Sequence, residues 1–552
     1  MNLRILAIVV AVSVIAFSYV PAFSQIAPEY FYDSIAVNNL KTFIGNDGLA
    51  GHNPYTFEGG MEFPKHSGNV TMFTEGFVLI GHVNSQLRSC GSWYWQSLQR
   101  GNILSPYSAA DTNDAKYHVY KIKKMTAQEY QQLTVEEQQR LRSDFVNWPV
   151  ESSGGFIDRN SDGMYNPDFN AWLQNQGSSD QPIFEGDEML WYVANDLNEK
   201  KLARLFNSPP TSIEYQVSVW GYNDTPLLSN TLFTRYRMIH KGIHDVKDAY
   251  FGKFCDPDIG DSMDDFLGYD STFFAAYTYN RQEIDSYYGI PPASAHVLVQ
   301  GPVIPATGIR EPATFMGKYR EAYENIDVAG YTFYIWNTEE YRSPALGTTF
   351  GANMVYNNSR GKRWNGEPYL DPISGDSTTY PISGNPLTGD GWLDRDIWET
   401  RDRTYYFASG PFDFAPGDTQ EVIYAYTVAQ GVDRLNSLEL VLQNASQLRS
   451  IFRERHVTST TAPETPSSFA LGQNYPNPVS DGRTVIPIEL PQGRSSILRV
   501  YDILGKLVYE QAVSGRSSIS LDMKSLSIPP GMYKYSLISA SRTATRTMMV
   551  IQ

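Results

Sequence analysis

Cysteine is nearly absent from this sequence: Cys90 and Cys255 are the only two. There is no CxxC, no CxxCH and no zinc-type Cys/His spacing, so structural zinc, haem attachment and dithiol redox chemistry are excluded. A disulfide framework is excluded too, although a single Cys90–Cys255 bridge stays open at this stage. Positive charge is also scarce. The formal net charge is −16, with no basic patch of any length, so nucleic acid is not expected as a partner. Beyond the N-terminus no apolar run reaches the ~20 residues a membrane span needs, so no transmembrane segment is expected in the mature chain. The familiar catalytic signatures HExxH, GxSxG and the P-loop are missing. Gly260-Asp261-Ser262-Met263 echoes the nucleophile block of GDSL hydrolases, but it lacks the preceding apolar strand and a placed Asp-x-x-His. His240 and His244 are four apart, yet Gly242 lies between them at a strand end. No tandem repeat is found.

What is present points to β structure. Aromatics make up 13% of the 552 residues, and tyrosine dominates them. Such residues suit half-buried pleated surfaces and leave rings for surface binding. Met1 to Ser24 reads as a secretory signal: Arg4 is the charged start, Ile5 to Phe17 the apolar core, Ala22 and Ser24 the small residues before the cut. Ile213 to Tyr222 alternates and Asn230 to His240 answers it across a turn, predicting a long hairpin. Further strands are expected over 248–254, 295–301, 332–336 and 420–430. Gly91-Ser92-Trp93-Tyr94-Trp95 fits core or surface. Thr126 to Glu129 and Thr134 to Glu137 have capping-box spacing and predict two short helices, which must end by Trp148 because Pro149 disfavours helix there. Leu435 to Arg455 carries apolar residues at helical spacing. The expected fold class is mainly β: a large β-sandwich-type cargo with minor helices, followed by a C-terminal immunoglobulin-like β-sandwich. The expected divisions are 1–24 signal, 25–205 and 206–456 cargo, 457–468 linker and 469–552 C-terminal domain.

The last eighty or so residues carry the most specific signal. Val485 to Leu490 is an apolar run broken by Pro487, as in an edge strand. Ile497 to Tyr501 alternates, Asp502-Ile503-Leu504-Gly505 turns, and Lys506 to Tyr509 returns. Pro529-Pro530-Gly531 is a second turn before the strand Tyr533 to Ser539. Asn474-Tyr475-Pro476-Asn477-Pro478, Val500 to Lys506 and Pro530 to Leu537, in that order, resemble the type A C-terminal sorting domain of type IX secretion. That resemblance implies export across the outer membrane and the type IX machinery as partner of 469–552. Residues 154–167, 184–191, 256–260, 409–412 and 416–420 resemble large secreted proteins of Bacteroidetes and Ignavibacteria. This implies the same destination and adds no catalytic residue.

Two acidic stretches are candidate calcium loops. Asp158, Asn160 and Asp162, with Gly163 at the sixth position, place oxygen donors as a calcium loop begins, and the Met164 carbonyl falls seventh. Position twelve is Phe169, so closure would fall to Asp168 or elsewhere; an ion-free Asx turn uses the same residues. Asp256, Asp258, Asp261, Asp264 and Asp265 fall within ten residues. That many like charges call for a cation or for solvent. Calcium, in a structural role, is therefore the expected cofactor. Glu185, Asp187 and Glu188 are possible contributors to either site. The expectation for function is a secreted or cell-surface, non-catalytic, calcium-stabilised binding, adhesion or structural protein with an extracellular glycan or protein ligand. The alternative is an extracellular hydrolase acting on polysaccharide.

Overall fold

The computed structural model describes residues 32–105, 108–152, 154–307, 311–397, 400–457, 470–490, 495–514, 517–539 and 543–551. The expected signal segment and linker residues 458–468 lie outside them.

Two antiparallel sheets face each other across the main core. One has nine strands, in the order Asp265–Asp270, Ala275–Asn280, Ala293–Gln300, Thr419–Ala429, Thr231–His240, Ile213–Gly221 and Glu188–Asn195, with Gln99–Arg100 and Tyr120–Lys123 both pairing the last. The other has five: Val328–Ile335, Arg403–Phe414, Val246–Asp256, Thr74–Val83 and Gln86–Gly91. The strands read as continuous apolar runs because both faces of each sheet are covered. Leu190, Tyr192 and Ala194 face the partner sheet, whereas Met189, Trp191 and Val193 face a helical layer. That layer is built by Val135–Val146, Phe169–Gln174 and Arg434–His456, through Phe145, Trp172, Leu448 and Phe452. The outer face of the five-stranded sheet is covered by the helix Thr349–Ser359 and by Leu205 and Phe206. The chain is mainly β, as expected, with helices as outer layers. Strands from both sides of the 205/206 division share both sheets.

The local signals hold. Ala127–Gln131 and Val135–Val146 each start at a threonine with a complete capping box. The helix Thr349–Ser359 has no such periodic signal. Thr348 caps it, and Ala352, Met354 and Val355 hold it against the sheet, so packing outweighs its weak propensity.

In the C-terminal region a three-stranded sheet (Ala470–Leu471, Arg483–Glu489, Ser517–Asp522) and a four-stranded sheet (Leu507–Ser514, Ser495–Asp502, Gly531–Ile538, Thr543–Val550) enclose their own core, including Leu498, Val500, Tyr535 and Leu537. The strand with Pro487 is central, not at the edge. Proline fits because its carbonyl still accepts from the Gly472 amide at 2.8 Å, while the Gly472 carbonyl, which meets no amide at Pro487, accepts from the Tyr535 hydroxyl at 2.9 Å.

Cys90 and Cys255 lie on strands flanking Thr74–Val83, opposite Leu79 and Glu75 respectively. Two strand spacings and four residues of rise put them roughly 16 Å apart, too far for a bridge. Both are buried, and burial pushes both thiols up, away from the reactive thiolate. Neither is expected to react with a maleimide in the native protein. Both should react after denaturation without reductant; labelling of only one, or of none until reduction, would contradict the placement.

Candidate functional site

Among the described residues, one group of three carboxylates lies close enough to share a cation, and it joins Asp256 and Asp258 to a residue far along the chain. Val246–Asp256 runs antiparallel beside Arg403–Phe414 with Cys255 opposite Tyr405, so the end of one strand meets the start of the other. Pro257 ends the first strand, and Gly260 turns the chain back at φ 71°. One carboxylate oxygen from each of Asp256, Asp258 and Asp402 lies within 4.8 Å of the other two. Asp256 is buried and accepts a 2.9 Å hydrogen bond at Oδ2 from the Tyr94 hydroxyl. Asp258 and Asp402 are half-buried. Burial, then the neighbouring charges of Asp258 and Asp402, push the Asp256 carboxyl far above the usual range. Burial and the charge of Asp402 push Asp258 up to about 7. Arg403, next in the chain, is held by Asp394 at 2.7 Å.

The other acids of that stretch do separate work. Asp265 Oδ2 accepts from the Ile259 amide at 2.9 Å, Asp264 Oδ1 from Asn280 Nδ2 at 2.8 Å, and Asp261 Oδ1 from the Met263 amide at 3.1 Å. Glu185 binds Arg235 at 2.5 Å and His456 at 3.2 Å. Glu188 lies 3.6 Å from Lys123, and Asp187 accepts from the Asn223 amide at 3.0 Å. Asp402 was not legible in the sequence, since nothing local marks it; only strand register brings it in.

The 158–168 loop is exposed and already folded into turns. Asp158 accepts from the amides of Ser161 and Gly163 at 2.7 and 2.8 Å. Asn160 accepts from the Asp162 amide at 3.0 Å, and Asp162 from the Met164 amide at 2.8 Å. Asp168 caps the helix Phe169–Gln174 through the amides of Asn170 and Ala171. Its side chain is therefore committed to a helix end.

A separate open cleft of about 690 Å³ sits in the excursion 336–402 between the strands Val328–Ile335 and Arg403–Phe414. Its aromatic lining rests on the sheet: Tyr341 stacks on Phe333 at 4.8 Å, and Tyr369 lies 6.4 Å from Trp392. Its acids are Glu340, Glu367 and Asp396. Glu340 is paired with Arg363 at 3.2 Å, Asp396 lies 3.8 Å from Arg395, and Glu367 accepts from Asn365 at 2.9 Å.

No curated protein matches the chain. Among solved structures, a polysaccharide lyase aligns at a TM-score of 0.18 and 8% identity, over 62% of this chain and 35% of that one. The match thus spans about a third of the lyase, and at that score it carries no argument about activity. Residues 473–552 match the family described as the secretion system C-terminal sorting domain. No helix among the described residues is long and apolar enough to cross a membrane. The chain therefore carries a type IX sorting domain at residues 473–552 and is a cargo of that system, sent to the cell surface or the extracellular space.

Proposed function

We propose that this exported chain is a non-catalytic extracellular binding protein whose cleft between residues 340 and 397 captures a neutral glycan. The observation that carries this reading is the state of the cleft acids. Glu340 is ion-paired, Asp396 lies beside a guanidinium, and Glu367 is hydrogen-bonded by an amide. A hydrolase needs one carboxyl held protonated and a second free to attack or to activate water. Acids engaged in this way instead serve as fixed acceptors for sugar hydroxyls. The half-buried ring of Tyr341 and the exposed side chain of Leu370 supply apolar surface beside them. Three acids against Arg363 alone in the lining leave the cleft negative, which favours a neutral polymer over a uronate-rich one.

The test mixes the purified chain with insoluble neutral and acidic polysaccharides and assays the supernatant for lost protein and released sugar. Protein should be depleted by a neutral polymer with no sugar released. Tyr341→Ala should weaken that retention about fivefold, as loss of about 1 kcal/mol of ring stacking requires. Released sugar would replace the binding reading with the hydrolase one. Retention untouched by Tyr341→Ala would move the ligand away from this cleft.

A further inference from the structure

We propose that Asp256, Asp258 and Asp402 together bind one calcium ion, which clasps the end of the strand Val246–Asp256 to the start of Arg403–Phe414. The site goes beyond the glycan reading and does not depend on it.

Three observations support the clasp. The first is convergence. Two oxygens bonded to one calcium at about 2.4 Å can be no more than ~4.8 Å apart, and all three carboxylates meet that limit. The second is orphaned polarity. Asp256 is only 5% exposed, and its Oδ1 has no hydrogen-bond partner among the described residues; Asp402 Oδ1 is likewise buried and unpartnered. A buried carboxylate oxygen without a donor is costly, and a cation would satisfy both at once. The third is donor chemistry. The donors are all carboxylate oxygens, with no histidine or cysteine among them, which selects a hard cation over zinc or copper. The half-buried rims of Asp258 and Asp402 leave room for the waters that complete a calcium shell.

Asp402 is the residue that distinguishes this clasp from a simple acidic loop. It also ends the excursion that carries the cleft, and its carbonyl accepts from the Trp336 amide at 2.9 Å, where that excursion begins. A cation here would pin both ends of the excursion to the sheet.

The test uses calorimetry and thermal unfolding of the full chain with calcium, with magnesium and with chelator, on wild type, Asp402→Asn, Asp258→Asn and Asp158→Asn. Calcium should raise the melting temperature of wild type. Asp402→Asn should weaken that calcium binding at least about tenfold by removing one charged ligand. The sign in chelator is the diagnostic. With no ion, Asp402→Asn relieves repulsion and should melt at or above wild type, whereas in calcium it should melt below. Asp158→Asn should leave this crossover in place. Equal destabilisation by Asp402→Asn in both conditions would overturn the clasp, as would calcium binding lost only in Asp158→Asn. Tighter binding of magnesium would overturn the choice of ion. Asp258→Asn repeats the comparison at the rim should Asp402→Asn fail to fold.

Discussion

Replacing Lys253 with methionine is expected to destabilise the cargo by about 3–5 kcal/mol, the usual cost of stranding one partner of a buried ion pair. Lys253 lies between the two sheets, almost fully buried, with its Nζ 2.8 Å from Glu75 Oε1 and 2.9 Å from the Tyr236 hydroxyl. Glu75 Oε2 lies 2.6 Å from His296 Nε2, and His296 Nδ1 lies 2.6 Å from the Tyr405 hydroxyl. Burial lowers the affinity of His296 for a second proton, against the opposing pull of Glu75. Facing a carboxylate that only accepts, Nε2 donates to Glu75, and Nδ1 lies within hydrogen-bond reach of the Tyr405 hydroxyl. Burial by itself would raise the Glu75 carboxyl, but the Lys253 charge and the His296 hydrogen bond outweigh it and hold Glu75 at about 2. Without Lys253 the carboxylate loses its counter-charge in a dry core.

The pH dependence follows from that value. A carboxyl held below its ordinary 4.5 contributes stability that is fully present above that pH and fades as pH falls towards about 2. In the Lys253→Met protein, Glu75 is pushed upward instead, so the gap between variant and wild type should be widest at neutral pH and narrow in acid. Denaturant unfolding at neutral and at acidic pH measures this. A gap of equal size at both would show that lost packing, not the orphaned charge, sets the cost. The double variant Lys253→Met with Glu75→Gln should recover much of the loss, because it removes the unpaired charge.

Trp93→Ala is expected to cost about 3–5 kcal/mol, as large aromatic truncations in a packed core do. Trp93 stacks on Phe254 at 4.0 Å and 21°, with Tyr406 at 5.5 Å, Tyr334 at 5.8 Å and Phe206 at 6.2 Å. It is 1% exposed and joins the five-stranded sheet to the residues that cover its outer face. The indole fills space shared by several rigid rings, which cannot all collapse into a cavity. A fall in the chemical-denaturation midpoint with no loss of export would confirm a purely structural role. A change within about 0.5 kcal/mol, the range of ordinary surface substitutions, would remove Trp93 from the core.

The sequence alone was enough for the export address, because the sorting domain is recognised from motifs within one short stretch, and those motifs coincide with the match at 473–552. It was enough for the long strands and for both capped helices as well. Strand alternation, capping boxes and proline punctuation act over a few residues and survive in the folded chain. The Ile213–Gly221 and Thr231–His240 hairpin and the helix Arg434–His456 fall within two residues of their expected bounds.

Tertiary structure decided what the charges do. Asp256 and Asp258 looked like one loop with Asp261, Asp264 and Asp265, yet the chain sends those last three to hydrogen bonds with Met263, Asn280 and Ile259 and brings Asp402 to the first two. Glu75, Lys253 and His296 come from three distant strands, and no spacing in the sequence links them. Trp93 and Tyr94 are adjacent, but one is core and the other reaches Asp256. Secondary structure follows from preferences between near neighbours along the chain. The meeting of charges and rings depends on which strands pair and in what register, and that is set by burying both faces of two sheets at once.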